Sequence, residues 1–453
     1  MSGTRIELSN VGYESIMGSP HDMPIMSPIS PEDQALYQKF EIESHTDTIK
    51  MEYFSLGLTS GASLQMLVVT FLLMFIASYH DVGPLNELSK EYYPLFRMIF
   101  FILWFWILYG VNVFIWKRYG LAGAYYRIYG LNPESHTYQF ILRGAASIAY
   151  IVFSCFVTYT LILSGLLGDS TSNIKHVFPA LSVIIPIVLF FSTSDHVTRY
   201  CFGTEDSQVS SQRYGLIKEF GYVLAAPFVT CTPLRSLIGD ILCSMPKVFL
   251  DLSYSICLYS DLSDLESGAR ECVQGPLAST SSVRYWYLTL FMSLIPYIIR
   301  TLQTLRTYVD KGGSMHLWNA LKYTLSVIVT LLNTVKVNSP AGSSQKDQMT
   351  VAWATVAACT TAYSYWWDVR VGWGLLNTDS EHFLLRDKLT YPKSWYYTAM
   401  LANFAMRLVW AFNISPGQPY VAQNVILLFG CLELVRRFVW LTFRVEWIIL
   451  GSK

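Results

Sequence analysis

Long apolar runs joined by short polar connections make up nearly all of the chain after residue 50. They fall at about 58–79, 93–116, 140–163, 177–191, 234–259, 286–305, 317–335, 350–367, 395–412 and 422–443. A helix needs roughly 20 apolar residues to cross a bilayer, so the pattern predicts an all-α, polytopic membrane protein of about ten transmembrane helices. The fourth and seventh runs carry polar interruptions. Residues 1–50 are different: polar, rich in Ser, Asp and Glu, and punctuated by Pro20, Pro24, Pro28 and Pro31. With no apolar run of the signal-peptide kind, they predict a flexible cytosolic tail.

The connections carry charge in alternation. Lys117, Arg118 and Arg127 are followed by Arg199, Arg213 and Lys218, then Arg306 and Lys311, then Arg386, Lys388 and Lys393. Between them lie connections that are acidic or weakly charged, holding Asp81 and Glu87, then Asp169, then Asp261, Asp264, Glu266 and Glu271. Basic loops stay in the cytosol, which places both termini there. About four helices over 51–220 then precede about six over 221–448.

Composition agrees with the pattern. Of 453 residues 52% are hydrophobic and 14% charged, against about 25% charged in soluble domains. Mean hydropathy is +0.34. The formal net charge is zero, which argues against a nucleic-acid binder, since such proteins need a basic surface. Eight cysteines without CxxC spacing read as small buried hydrophobes, with neither a disulfide framework nor a metal site. No HExxH, GxSxG or GxxxxGK[ST] run occurs, so neither an enzyme, nor a nucleotide-driven pump, nor any cofactor is indicated.

The candidate chemistry lies in charges inside the apolar runs, concentrated after residue 234. Asp240, Lys247 and Asp251 stand at steps of seven and four, which would keep them on one stripe of a continuous helix. Arg300, Lys322 with Tyr323, Asp368 with Arg370, and Arg407 with Trp410 follow. The last run holds Glu433, Arg436 and Arg437. Each arginine at a helix centre costs roughly 2.5–3.5 kcal/mol on insertion scales. One carboxylate at Glu433 cannot neutralise two guanidiniums. Such cations must face one another across a bundle interior or a wet cavity. Closed ion pairs that lock helix packing are one outcome. Because Lys322, Arg407, Arg436 and Arg437 outnumber well-placed acids, a path for an oxyanion held by arginine forks is the other.

The same residues carry a resemblance. Trp366-Trp-Asp-Val-Arg-Val-Gly-Trp-Gly-Leu375, Leu385-Arg-Asp-Lys-Leu-Thr-Tyr-Pro392, Arg407-Leu-Val-Trp410 and Glu433-Leu-Val-Arg-Arg-Phe-Val-Trp440 resemble the EXS domain of inorganic phosphate exporters. So do His316-Leu-Trp-Asn-Ala-Leu-Lys-Tyr323, Gly239-Asp-Ile-Leu and Leu250-Asp-Leu-Ser-Tyr254. Upstream, Gly110-Val-Asn-Val-Phe-Ile-Trp116 and Gly130-Leu-Asn-Pro133 extend the likeness to about residues 51–448.

The resemblance implies a phosphate pathway through the last six helices. It would be lined by Asp240, Lys322, Tyr323, Asp368, Arg407, Arg436 and Arg437, with Trp410 as gating aromatic and Glu433 beside the arginine pair. It also implies a homodimer and, since an inositol-pyrophosphate-sensing SPX domain is not expected in 50 polar residues, a regulatory partner in its place. The membrane would be that of the Golgi or the plasma membrane. Gly372 stands where the family pattern has an acid, and Ala402 and Asn403 where an acidic pair precedes the arginine. Fewer acids make the expected pathway more electropositive. A non-transport scaffold or Golgi retention factor, its buried charges merely paired, is the alternative.

Overall fold

The computed structural model describes residues 57, 60–65, 68, 92–133, 136–163, 174, 176–191, 208–260, 280–340, 342–409 and 423–451. The tail expected over 1–50, most of the first expected span and Trp410 lie outside these residues. Among the described residues the secondary structure is helical throughout, without strands.

The first helix, α1 (Tyr93–Arg118), begins on Pro94 and ends on Lys117 and Arg118. Proline suits a first turn whose N–H groups are unpaired, and cations suit the carbonyl end of the dipole. A short helix, α2 (Ala122–Tyr129), is closed by Gly130 in the left-handed region at φ 65°. It leads to α3 (Tyr138–Leu163) and α4 (Val177–Phe191). Then come α5 (Gln208–Leu224), α6 (Pro233–Leu242) and α7 (Pro246–Leu258). The second half comprises α8 (Thr280–Lys311), α9 (Ser314–Asn338), α10 (Ser344–Trp366), α11 (Lys393–Arg407) and α12 (Gln423–Gly451). A six-residue π-helical turn, Trp367–Gly372, continues directly from α10.

Four of the described helices are long and apolar enough to cross a membrane: Tyr93–Arg118, Tyr138–Leu163, Tyr287–Lys311 and Ser314–Val337. The pair α6 and α7 makes a fifth span if its two halves are counted together, and these halves meet at a 68° bend. The expected single helix over 234–259 is therefore broken. Pro246 explains the break, since its ring cannot donate to the preceding turn and disfavours helical geometry before it. The common stripe expected for Asp240, Lys247 and Asp251 does not exist, because the three residues sit on two helix axes.

Helix α1 packs on α3, α7 and α12, while α8, α9 and α10 form a second layer against α7. Between apolar helices in a bilayer the hydrophobic effect contributes little, so close packing and polar contacts hold the bundle. Arg97 in α1 makes two bonds to Asp251 in α7, from Nε at 2.8 Å and from Nη2 at 2.5 Å. Gly239 in α6 admits the side chain of Gln303, whose Oε1 would lie 2.3 Å from any added Cβ. Thr324, Ser326, Thr330 and Thr334 return their hydroxyls to carbonyls one turn back, which satisfies these polar groups within α9 itself.

An aromatic core closes one end of the bundle. Trp116, Tyr125, Trp373 and Tyr396 are fully buried there beside Tyr391, Trp440 and Phe443. The segment between the π-helical turn and α11 is clamped into it. Arg386 donates to the carbonyl of Trp373 at 2.5 Å, and its Nη2 lies 2.5 Å from Glu446 Oε2, an ion pair without linear hydrogen-bond geometry. Glu446 also accepts from the Tyr396 hydroxyl at 2.5 Å and the Thr390 amide at 2.8 Å. Gly374, at φ 63°, passes so close to Trp447 that an added Cβ would sit 2.7 Å from the indole.

The cysteine expectation needs one correction. Cys155, Cys231, Cys243, Cys359 and Cys431 are free thiols, but Cys257 at the end of α7 is disulfide-bonded, to a partner outside the described residues.

Candidate functional site

The break between α6 and α7 opens a space that faces the second layer and α12. Ser244, Met245, Pro246 and Lys247 line a cavity of about 330 Å³ there, opposite residues of α9, α10, α11 and α12. Its wall carries five cationic side chains, Lys247, Lys322, Arg407, Arg436 and Arg437, and two carboxylates, Asp368 and Glu433. The hydroxyls of Tyr297, Tyr323, Ser244, Ser326 and Ser364 add neutral polar groups.

Each carboxylate is already engaged. The π-helical turn aims Asp368 inward at 2% exposure, where it accepts from Arg407 and lies 3.4 Å from Arg436 Nη1. Glu433 receives Arg436 from one turn along α12, with Nε at 2.8 Å and a second contact from Nη2. A π turn packs more residues into one revolution than an α-helix, and such turns recur where a side chain must be re-aimed.

Three of the five cations, Lys247, Lys322 and Arg437, have no such partner among the described residues. Among the described residues no carboxylate lies within ion-pair distance of Lys322 or Arg437. The Lys322 ammonium instead sits 4.4 Å from the ring centre of Tyr323 and 5.7 Å from that of Trp367. Arg437 donates from Nε to Ser244 Oγ at 2.7 Å and lies 4.6 Å over the ring of Trp440. These contacts are attractive, but quadrupoles and hydroxyls do not cancel a full charge. The wall is left electropositive.

Asp240 occupies a different position from the one the sequence suggests. It faces Arg300, whose Nε and Nη2 reach its two oxygens at 2.8 and 3.1 Å, and it accepts from the Tyr323 hydroxyl. Arg300 is further held by Gln303 at 3.1 Å and Ser236 at 2.9 Å. This cluster borders a second, smaller cavity of about 60 Å³, shared with Asn319, Trp440 and Arg444. Lys322 and Tyr323 line both cavities and stand between them.

Of the residues expected at the site, the large cavity brings together Lys322, Tyr323, Asp368, Arg407, Glu433, Arg436 and Arg437. Asp240 borders the small one. Lys247 and Ser244 belong to the large cavity yet were not among the expected residues. The signal for both was Pro246: a proline in an apolar run ends the helix before it, which turns the flanking residues toward the break. Arg97 was missed as the partner of Asp251 because 154 positions separate them.

Comparison with known proteins gives relatives that match most of this chain. Phosphate transporter PHO1 homolog 10 of Arabidopsis thaliana is 27% identical over 421 residues, covering 91% of this chain and 50% of the relative. SPX and EXS domain-containing protein 3 of Dictyostelium discoideum is 28% identical over 87% of this chain and 40% of its own length. The xenotropic and polytropic retrovirus receptor 1 homolog of Xenopus laevis is 28% identical over 87% of this chain and 54% of its own length. The chain thus spans about half the length of the curated relatives it matches. Residues 92–450 match the EXS family, most of the chain and every helix that surrounds the cavity, and the chain belongs to that family.

Proposed function

We propose that this chain passes inorganic phosphate across a membrane through the large cavity, as an exporter without an ATP-driven step. The observation that carries the reading is the excess of five cationic side chains over two carboxylates around one cavity. Relatives named as phosphate transporters support it. Phosphate carries roughly one to two negative charges at neutral pH and has oxygens enough to meet several donors at once. Arg407, Arg436 and Arg437 supply planar forks, Lys322 and Lys247 point charges, and Tyr323 a hydroxyl. Asp368 and Glu433 hold the arginines in place and dilute their charge, so that an entering anion is bound weakly enough to leave again. Trp410 would close the narrow point.

The reading includes both termini in the cytosol and about ten spans. The alternation of basic and acidic connections supports that orientation. So does the disulfide at Cys257, which adjoins the acidic connection after α7, since disulfides persist in oxidising compartments. A cytosol-negative potential then drives an anion outward by about 2.3 kcal/mol per charge per 100 mV. The Golgi membrane and the plasma membrane both fit, and imaging of a tagged chain decides between them.

The test is radiolabelled phosphate flux in proteoliposomes. An Arg407→Gln/Arg436→Gln double variant should lose flux by about 100-fold or more, since each charge-assisted bond contributes roughly 1.5–3 kcal/mol. Unchanged flux from a folded variant would overturn the proposal. The scaffold reading has its own support in the closed pairs Arg97–Asp251 and Arg300–Asp240, and it predicts loss of stability with no flux to lose.

A further inference from the structure

The large cavity exceeds what one phosphate ion fills. At about 330 Å³ it lies within the range of pockets that hold whole small molecules. One phosphate displaces about two waters' worth of liquid, roughly 60 Å³. The donors around the space are spread to match.

The cations fall into two groups. Arg407 and Arg436 converge on Asp368, and Arg436 is also held by Glu433. Arg437 follows Arg436 on α12, and successive positions of an α-helix point about 100° apart. It therefore leaves that group and reaches Ser244, donating from Nε to Oγ at 2.7 Å. Ser244 accepts in this bond and keeps its own hydroxyl proton to give. Lys247 stands three positions on, across the α6–α7 bend, and lines the same cavity. The one acid of α7, Asp251, lies a turn beyond Lys247 and accepts from Arg97 at both oxygens. Among the described residues Lys247 makes neither a hydrogen bond nor an ion pair. Ser244, Lys247 and Arg437 thus form a donor set without a carboxylate, beside another set that holds two.

Charge points the same way as volume. Five cationic side chains face two carboxylates, an excess of three positive charges. A phosphoryl group carries roughly one and a half to two negative charges at neutral pH, so two joined through an oxygen carry about three. Two separate phosphates would each lose their freedom of movement on entering. A covalent link between them removes the second loss and fixes the spacing.

We infer that the large cavity binds diphosphate as well as phosphate, with one phosphoryl group on Arg407 and Arg436 and the other on Arg437, Lys247 and Ser244. This rests on the transport reading of the same cavity and widens its class of anion to condensed phosphates. The ion is held intact, with no bond made or broken. Lys247 sets the preference, since the arginine pair can hold a single phosphoryl group without it.

Equilibrium competition against radiolabelled phosphate, on the full chain in nanodiscs and magnesium-free buffer, tests the inference. Methylenediphosphonate, whose carbon bridge resists hydrolysis, accompanies diphosphate, and methylphosphonate is the single-group control. Both two-group anions should displace phosphate completely at one per chain, and bind about tenfold or more tighter than phosphate. Methylphosphonate should show no such gain. Lys247→Gln should weaken the two-group anions about tenfold more than it weakens phosphate, bringing the affinities together. The comparison of anions uses the wild type alone, so it decides the matter even where the variant does not fold. Equal affinity of the wild type for diphosphate and phosphate would overturn the inference and leave the transport reading standing. So would a folded Lys247→Gln chain that weakens both alike. A wild type that binds none of these anions would overturn both readings.

Discussion

Replacing Lys322 with methionine separates a passage from a lock. The side chain is 8% exposed and lacks a carboxylate within ion-pair distance among the described residues, so its charge is held in a poorly solvated place at a cost. Insertion scales put that cost at roughly 2.5–3.5 kcal/mol. The contact with the Tyr323 ring, 4.4 Å from the ammonium, returns part of it, about 0.5–2 kcal/mol by the usual range. Methionine has similar volume and no charge. Without phosphate, Lys322→Met should therefore be more stable than the wild type by about 2 kcal/mol, the middle of the roughly 0.5–3 kcal/mol that those two ranges leave. With phosphate the order should reverse. A ligand at 100 times its dissociation constant stabilises by about 2.7 kcal/mol, and the variant should forfeit most of that gain. Denaturant unfolding of the purified chain in detergent, followed by tryptophan fluorescence with and without phosphate, reads both signs. Flux in proteoliposomes should fall in parallel. If Lys322→Met is instead destabilised by several kcal/mol in phosphate-free buffer while flux per folded molecule persists, the lysine fastens helices and the reasoning is wrong.

Pairs away from the cavity should behave in the opposite way. Arg97→Gln leaves Asp251 buried without its two donors and should cost about 3–5 kcal/mol in unfolding free energy with little change in flux per folded protein; a joint Arg97→Met/Asp251→Leu exchange should recover most of that stability. Glu446→Gln removes the carboxylate that receives Tyr396, Thr390 and Arg386, and limited proteolysis should then cut the segment over 376–390 sooner than in the wild type.

Much of this architecture can be read from hydropathy. The described helices lie within a few residues of the runs expected for α1, α3, α4 and α9, because apolar length is a local property, while α12 runs on to Gly451 past the expected end at 443. The cations of the large cavity are legible for a related reason: Lys322, Arg407, Arg436 and Arg437 are conspicuous in apolar surroundings whatever their partners. Partnership is another matter. Whether Asp240 stands free or answers Arg300 depends on two helices meeting across 60 positions of chain. The bend at Pro246 changed the most. Reading 234–259 as one rod placed Asp240, Lys247 and Asp251 side by side, whereas the kink sends them to Arg300, to the large cavity and to Arg97. The proline was visible, but its effect on facing required three dimensions.

The six-residue widened turn at Trp367–Gly372 makes this stretch unusually intolerant of length change. Deleting a single residue inside it would let the backbone relax to ordinary α-helical winding, in which each position advances by about 100°. Asp368 and Trp373 could then no longer keep their present bearings together: one would leave its arginines or the other its place beside Phe443. A lost codon should therefore cost more here than a substitution at a position facing away from the site, and sequence drift in this stretch should be strict in count.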